Sequence, residues 1–185
     1  GDKILVSVGR KANIRNLGIE TLLVELLRNG VKVNEYMQTS HPNVYACGDI
    51  TGFSMLAHTA YREAEVAINH LLGRDDRMSY KAIPAVVYTN PEVAGVGKTE
   101  EELKAEGMTY SGRFMAENET GTGLCKLITD TDDRIIGCHL LGNPASEIII
   151  AAGIAVENGY TTEQFKKNIF PHPTVGEVLH ESLYM

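Results

Sequence analysis

Paired cysteines are missing from this sequence. Its 185 residues hold three, Cys47, Cys125 and Cys138, and no two of them stand in a C-x-x-C or C-x-x-x-x-C spacing. A sparse, odd set of thiols reads as reduced cysteine in a reducing compartment, the cytoplasm, and not as a disulfide scaffold. Positive charge is also short. Seventeen Lys and Arg face 24 Asp and Glu, for a net charge of −7. No clustered basic stretch offers a nucleic-acid footprint. No apolar run approaches the roughly 18 residues of a membrane span, and Gly1-Asp2-Lys3 begins no signal-peptide pattern. The expected partners therefore include neither nucleic acid nor membrane.

Several ligand motifs are incomplete. Gly95-Val96-Gly97-Lys98-Thr99 resembles the tail of a phosphate-binding loop, but the glycine required five residues before the second one is Glu92, a carboxylate that repels phosphate. Glu177-x-x-His180 has the spacing of a di-metal carboxylate site, which needs two copies, and there is one. The expectation is therefore no metal. No G-x-G-x-x-G cradle for a dinucleotide is present.

What remains is an ordinary globular composition, 43% hydrophobic and 22% charged. The length suffices to bury about 70% of the unfolded surface. Two parts are expected, 1–78 and 79–185, joined near Arg74-Asp75-Asp76-Arg77. In the first, Ile4–Val8 and Val44–Cys47 read as short strands, and Leu22, Leu23, Leu26 and Leu27 suit a short helix ending at Gly30. Met55–Leu72 reads as a helix closed by Gly73. In the second part, Pro84–Thr89, Val93–Gly97, Thr109–Ala116, Leu124–Thr129 and Ile135–Leu141 read as strands. Thr99-x-x-Glu102 is a capping box for a helix ending at Gly107, and Asn143-Pro144 opens a helix as N-cap and first residue. The body of that helix, Ile148–Val156, is apolar nearly all round and predicts burial on several sides, including against a second copy. Short helices are expected from Thr161 and over Thr174–Leu183. Hairpin-linked strands flanked by helices give an α+β fold with an antiparallel sheet.

Three motifs carry chemistry. Val44-Tyr45-Ala46-Cys47-Gly48-Asp49 presents Asp49 at a strand's carboxyl end, where it can accept hydrogen bonds from a polyol; the plainer reading is a Gly-Asp turn. Met55-Leu56-Ala57-His58 begins a helix whose free N–H groups favour an electron-rich ring or an anionic oxygen; the plainer reading is an amphipathic helix. In Phe170-Pro171-His172-Pro173-Thr174-Val175-Gly176-Glu177, two prolines stiffen the chain about His172, as general-base work needs, and Glu177 can fix the tautomer of the imidazole. Thr174-x-x-Glu177 is also a capping box, and both readings can hold together.

In this order the three motifs resemble the carboxyl-terminal part of the flavin-dependent pyridine nucleotide-disulfide oxidoreductases. Leu5-Val6-Ser7-Val8-Gly9-Arg10 resembles the close of that family's pyridine-nucleotide domain. Thr39 with Val44–Asp49 resembles its second flavin motif. Val87–Gly97 resembles the opening of its interface domain, and His172-Pro173-Thr174-x-x-Glu177 its terminal base motif. Within the family the chain is most similar to the dihydrolipoamide dehydrogenases, through Met55–His58, Gly112–Ala116 and Ile136–His139. It departs from the pattern at Phe170 (often His), Pro171 (a small residue), Gly176 (usually Ser) and Ala64 (Gly). Glutathione and mercuric reductases, or a dimerisation module without catalysis, are the alternatives.

The resemblance implies a homodimer formed through residues 79–185 and preceded by a remnant of the α/β FAD-binding domain. It implies FAD and NAD as cofactors and, as partner, a lipoyl-bearing component of a 2-oxoacid dehydrogenase or glycine cleavage complex. Asp49 would bind the ribityl region of the flavin, and Met55, Leu56, Ala57 and His58 would face its pyrimidine edge. His172, oriented by Glu177, would be the acid–base residue for a disulfide of the partner subunit. The redox disulfide and the phosphate cradle would belong to an amino-terminal half, so the chain alone is expected to be inactive and to bind FAD weakly or not at all.

Overall fold

The computed structural model describes residues 1–109, 111–115 and 123–184, with backbone alone for Ser111–Met115. The chain divides into two compact units, Gly1–Ser79 and Tyr80–Met185.

The first unit is built around one helix, α1 (Ala57–Leu71). Val66 and Ala67 on its inner face pack with Met37, and Val33, Tyr45 and Cys47 lie against them. The helix ends as expected, with Gly73 at φ +73° donating its N–H to the His70 carbonyl. The polar connector is fastened to α1. Asp76 takes two hydrogen bonds from the Arg62 guanidinium and one from Asn69, which hold its carboxyl down at about 2.

Elsewhere this unit departs from expectation. Residues 1–14 form no regular element, and Ile4, Leu5, Val6 and Val8 are exposed. A strand must pair its backbone groups, and no described strand pairs with this run. The expected helix before Gly30 is a series of turns followed by a hairpin, β1 (Leu26–Leu27) with β2 (Gly30–Val31). Leu26 and Leu27 are exposed, so no buried apolar stripe supports a helix there. Gly30 backs onto the Ile50 and Thr51 backbone so closely that a Cβ would stand 2.4 Å from the Ile50 carbonyl oxygen. Val44–Cys47 makes one isolated antiparallel bridge, Gln38 to Tyr45, and not a full strand.

The second unit is a five-stranded antiparallel sheet in the order β3-β4-β7-β6-β5, with β3 Ala85–Val87, β4 Val93–Gly97, β5 Ser111–Met115, β6 Leu124–Thr129 and β7 Ile135–Leu141. This is the expected α+β arrangement. Residues 110 and 116 of the expected Thr109–Ala116 strand lie outside the described residues. Alternation sets the faces. Cys125, Leu127, Cys138 and Leu140 are fully or almost fully buried, whereas Leu141 is exposed. The buried side chains form one cluster with Ile149, Ala152, Ala155 and Val156 of α3 (Ala145–Asn158) and with Leu179 and Leu183 at α5 (Glu177–Ser182). Between these helices lies α4 (Thr162–Lys166), which carries the capping box Thr161/Gln164; α2 (Glu100–Ala105) carries the expected box Thr99/Glu102.

Helix α3 starts one residue later than expected. Asn143 does not cap it: its side chain accepts the Glu92 N–H at 2.8 Å, and the Glu92 carboxylate accepts the Ser146 N–H at 2.9 Å in its place. Within the single chain the helix is buried on its sheet side. Ile149 and Ala152 face the sheet, while Ile150 is 64% and Ile154 52% exposed.

Leu127 is fully buried at the centre of this cluster. Leu127→Ala should cost about 2–5 kcal/mol, read as a lower urea midpoint for the second unit. A loss below about 1 kcal/mol would contradict this core assignment.

Candidate functional site

His172 sits in the segment that leads into α5. The expected capping box is only half formed, because α5 begins at Glu177 and the Thr174 hydroxyl bonds the Pro171 carbonyl at 2.7 Å. That bond closes the turn around the imidazole. The Glu177 carboxylate, one quarter exposed, reaches back out of the helix. It accepts the Thr174 N–H at 2.8 Å and stands 2.9 and 3.1 Å from His172 Nδ1. One carboxylate thus meets both the Thr174 N–H and the His172 ring. Donation from the Thr174 backbone first, and from His172 second, holds its carboxyl below the ordinary value. With Nδ1 turned to Glu177, Nε2 is the nitrogen left for chemistry, and the ring is 80% exposed.

The first unit gathers the other two motifs. Cys47 and Gly48 lead into a single 3-10 turn, Gly48–Thr51, which carries Asp49. Gly48 has φ +78°, a conformation that favours glycine. Asp49 and the start of α1 are joined by Arg10, whose guanidinium lies 3.4 Å from the Asp49 carboxylate and donates to the Met55 carbonyl at 2.8 Å. Met55 and Leu56 are half-buried; Ala57 and His58 are exposed. Leu56 occupies the cap position of α1 with no side-chain cap bond, so this helix end offers backbone donors to an incoming acceptor.

Two contributors were not singled out from sequence. Arg10 gave no signal beyond its place in the Gly-Arg pair. Glu63 did carry one, as a carboxylate on the inward face of an amphipathic helix. It is fully buried, and it accepts the Gly48 N–H, which ties the Asp49 turn to α1. Burial, and secondarily the Glu63 charge, raises the Cys47 thiol. Cys125 and Cys138, both fully buried, neighbour each other in the second unit.

Comparison with known proteins agrees with this layout. Residues 83–183 match the pyridine nucleotide-disulphide oxidoreductase dimerisation domain, and residues 1–64 match the pyridine nucleotide-disulphide oxidoreductase domain. The chain belongs to the pyridine nucleotide-disulphide oxidoreductase family. Relatives include the mitochondrial dihydrolipoyl dehydrogenases of Bos taurus and Homo sapiens, each 38% identical over 191 residues, covering 98% of this chain and 38% of the relative. The dihydrolipoyl dehydrogenase of Buchnera aphidicola is 38% identical over 187 residues, covering 95% of this chain and 39% of its own. The chain therefore spans about two-fifths of the length of these relatives. The crystal structure of LpdA from Mycobacterium tuberculosis shares the fold with a TM-score of 0.87 at 24% identity, covering 94% of this chain and 40% of that one. Among the described residues, no helix is long and apolar enough to cross a membrane.

A carboxylate held below its ordinary value stabilises the fold above that value and loses the effect as pH falls through the lowered one. Glu177→Gln should therefore lower the urea midpoint at pH 7, and the difference from the parent chain should shrink as pH drops below 4.5, the ordinary value. A difference that is equal or larger at pH 3 would contradict the Glu177 contacts.

Proposed function

We propose that this chain supplies the proton-transfer couple and the flavin-facing elements of a dihydrolipoamide dehydrogenase. The observation that carries the reading is the exposed His172 ring with Nδ1 2.9 Å from Glu177. Glu177, fixed in turn by the Thr174 N–H, keeps the imidazole in one tautomer and stabilises the imidazolium. Nε2 then takes the proton of a substrate thiol. The thiolate attacks one sulfur of a redox disulfide; that S–S bond breaks as a mixed disulfide forms, and the second substrate thiol, passing its proton to Nε2 once the first has been handed on, breaks the mixed disulfide and releases the second enzyme sulfur as a thiolate as it closes the oxidised product. His172 returns the proton to the departing enzyme thiolate. The disulfide is contributed by another part of the enzyme, across a homodimer formed through residues 79–185. The exposed Ile150 and Ile154 on α3, and the match to a dimerisation domain, support that assembly.

The residues of the first unit fit FAD. Asp49 would accept hydrogen bonds from ribityl hydroxyls, with Arg10 setting its orientation. The start of α1 at Met55, Leu56, Ala57 and His58 would present backbone donors to the pyrimidine edge. A bound FAD would supply the two-electron transfer between the reduced disulfide and NAD⁺. The relatives' name supports dihydrolipoamide as the substrate. We take as the partner a lipoyl-bearing component of a 2-oxoacid dehydrogenase or glycine cleavage complex. The isolated chain has no redox disulfide and holds FAD weakly or not at all. Three free cysteines suit a reducing compartment such as the cytoplasm.

In the FAD-containing enzyme that includes this chain, His172→Gln should cut turnover of dihydrolipoamide by about two to four orders of magnitude. A change below threefold would reduce His172 to a structural residue.

A further inference from the structure

The imidazole rides on an arm with few backbone donors. Pro171 and Pro173 flank His172 and carry no N–H. Between Phe170 and Val175, only His172 and Thr174 have an amide proton to give. Pro171, His172, Pro173 and Thr174 are all exposed, so apolar burial does not hold the arm. On its near side it is anchored by Phe170, whose ring meets buried Phe165 edge-on with centroids 5.7 Å apart. On its far side it is anchored by Thr174, through backbone and side chain together.

The backbone of Thr174 exchanges a pair of hydrogen bonds with Glu177. Its N–H donates to the Glu177 carboxylate at 2.8 Å, and its carbonyl accepts the Glu177 N–H at 3.3 Å. Any residue but proline could make this pair. The hydroxyl adds what most side chains lack: it reaches back past His172 and donates to the Pro171 carbonyl at 2.7 Å. Gly176 brings no side-chain group to compete for that hydroxyl; a Cβ there would stand 3.6 Å from Thr174 Oγ1. Two constraints of different kind therefore meet on the base. Glu177 fixes the ring at Nδ1. The Thr174 hydroxyl fixes the main chain that carries the ring. With the first constraint alone, the couple stays bonded while Nε2 moves with the arm.

We propose that Thr174 is a positioning residue for His172: its hydroxyl, through the Pro171 carbonyl, holds the arm so that Nε2 meets the sulfur it serves. The inference rests on His172 being the acid–base residue of the proposed function. Misplacing a reacting group by about 1 Å can cost about a hundredfold in rate, so a single bond on the arm has leverage over the chemistry. Thr174 is exposed, and replacing it opens no cavity in the core.

The test is stopped-flow kinetics on the FAD-containing enzyme that includes this chain, with the thiol–disulfide step started by dihydrolipoamide and the flavin step by NADH. Thr174→Val keeps the side-chain shape and both backbone bonds and removes the hydroxyl alone. It should slow the thiol–disulfide step by about ten- to a hundredfold and leave reduction by NADH unchanged. Thr174→Ala should do the same. Thr174→Ser, which restores the hydroxyl, should return the step to within about threefold of the parent, the scale of serine's extra side-chain freedom. A Thr174→Val enzyme within about threefold of the parent, a Thr174→Ser enzyme as slow as Thr174→Val, or equal slowing of both steps overturns the role of the hydroxyl. His172→Gln, run alongside, separates the two failures. If it is slow in the thiol–disulfide step while Thr174→Val is not, the proposed function stands without this inference; if it too matches the parent, the proposed function falls with it.

Discussion

One short hydrogen-bonded pair organises the functional reading. His172 has no reason to hold a single orientation on its own, since an exposed ring on a loop samples many rotamers. Glu177 removes that freedom at 2.9 Å, and it can do so because the Thr174 N–H and the helix start hold the carboxylate itself. The prolines on both sides restrict the backbone, and the Thr174 hydroxyl closes the turn on the Pro171 carbonyl. The result is an imidazole with one nitrogen committed and one presented to solvent.

The five-stranded sheet supports α5. Cys125 and Leu127 of β6 form the floor on which Leu179 and Leu183 rest. The first turn of α5 is thereby fixed, and Glu177 with it. Helix α3 contributes differently. Its inner face, Ile149, Ala152 and Val156, completes the core, while Ile150 and Ile154 leave apolar surface outward. In the first unit the same division holds at smaller scale: α1 buries Val66 and Ala67, and the inward Glu63 anchors Gly48 so that Asp49 and the helix start share one guanidinium, that of Arg10.

The second unit was largely legible in the sequence, because its elements are local or strongly patterned. Alternation gave Leu124–Thr129 and Ile135–Leu141 to the residue, and Thr99 with Glu102 announced its own helix. His172 with Glu177 was legible because the five-residue spacing and the prolines bring the two together without long-range help. The first unit was less so. Whether Leu22–Leu27 forms a helix depends on whether an apolar face finds a core, and Gly30 instead meets the backbone of residues 50 and 51, a contact invisible to periodicity. Ile4–Val8 has strand composition but no described strand beside it. The cap of α3 was misassigned because Glu92, more than fifty residues upstream, displaced Asn143. Arg10 and Glu63 act through contacts 39 and 15 residues away, where pattern alone says little (Arg10 with Asp49; Glu63 with Gly48).

The central claim is that Glu177 makes His172 a base for thiol–disulfide exchange. The direct measurement is stopped-flow reduction of the enzyme disulfide by dihydrolipoamide, comparing Glu177→Gln with the parent FAD-containing enzyme. The account predicts that the thiol–disulfide step slows by at least about tenfold while reduction of the enzyme by NADH is unchanged. An unaltered thiol–disulfide step would contradict it.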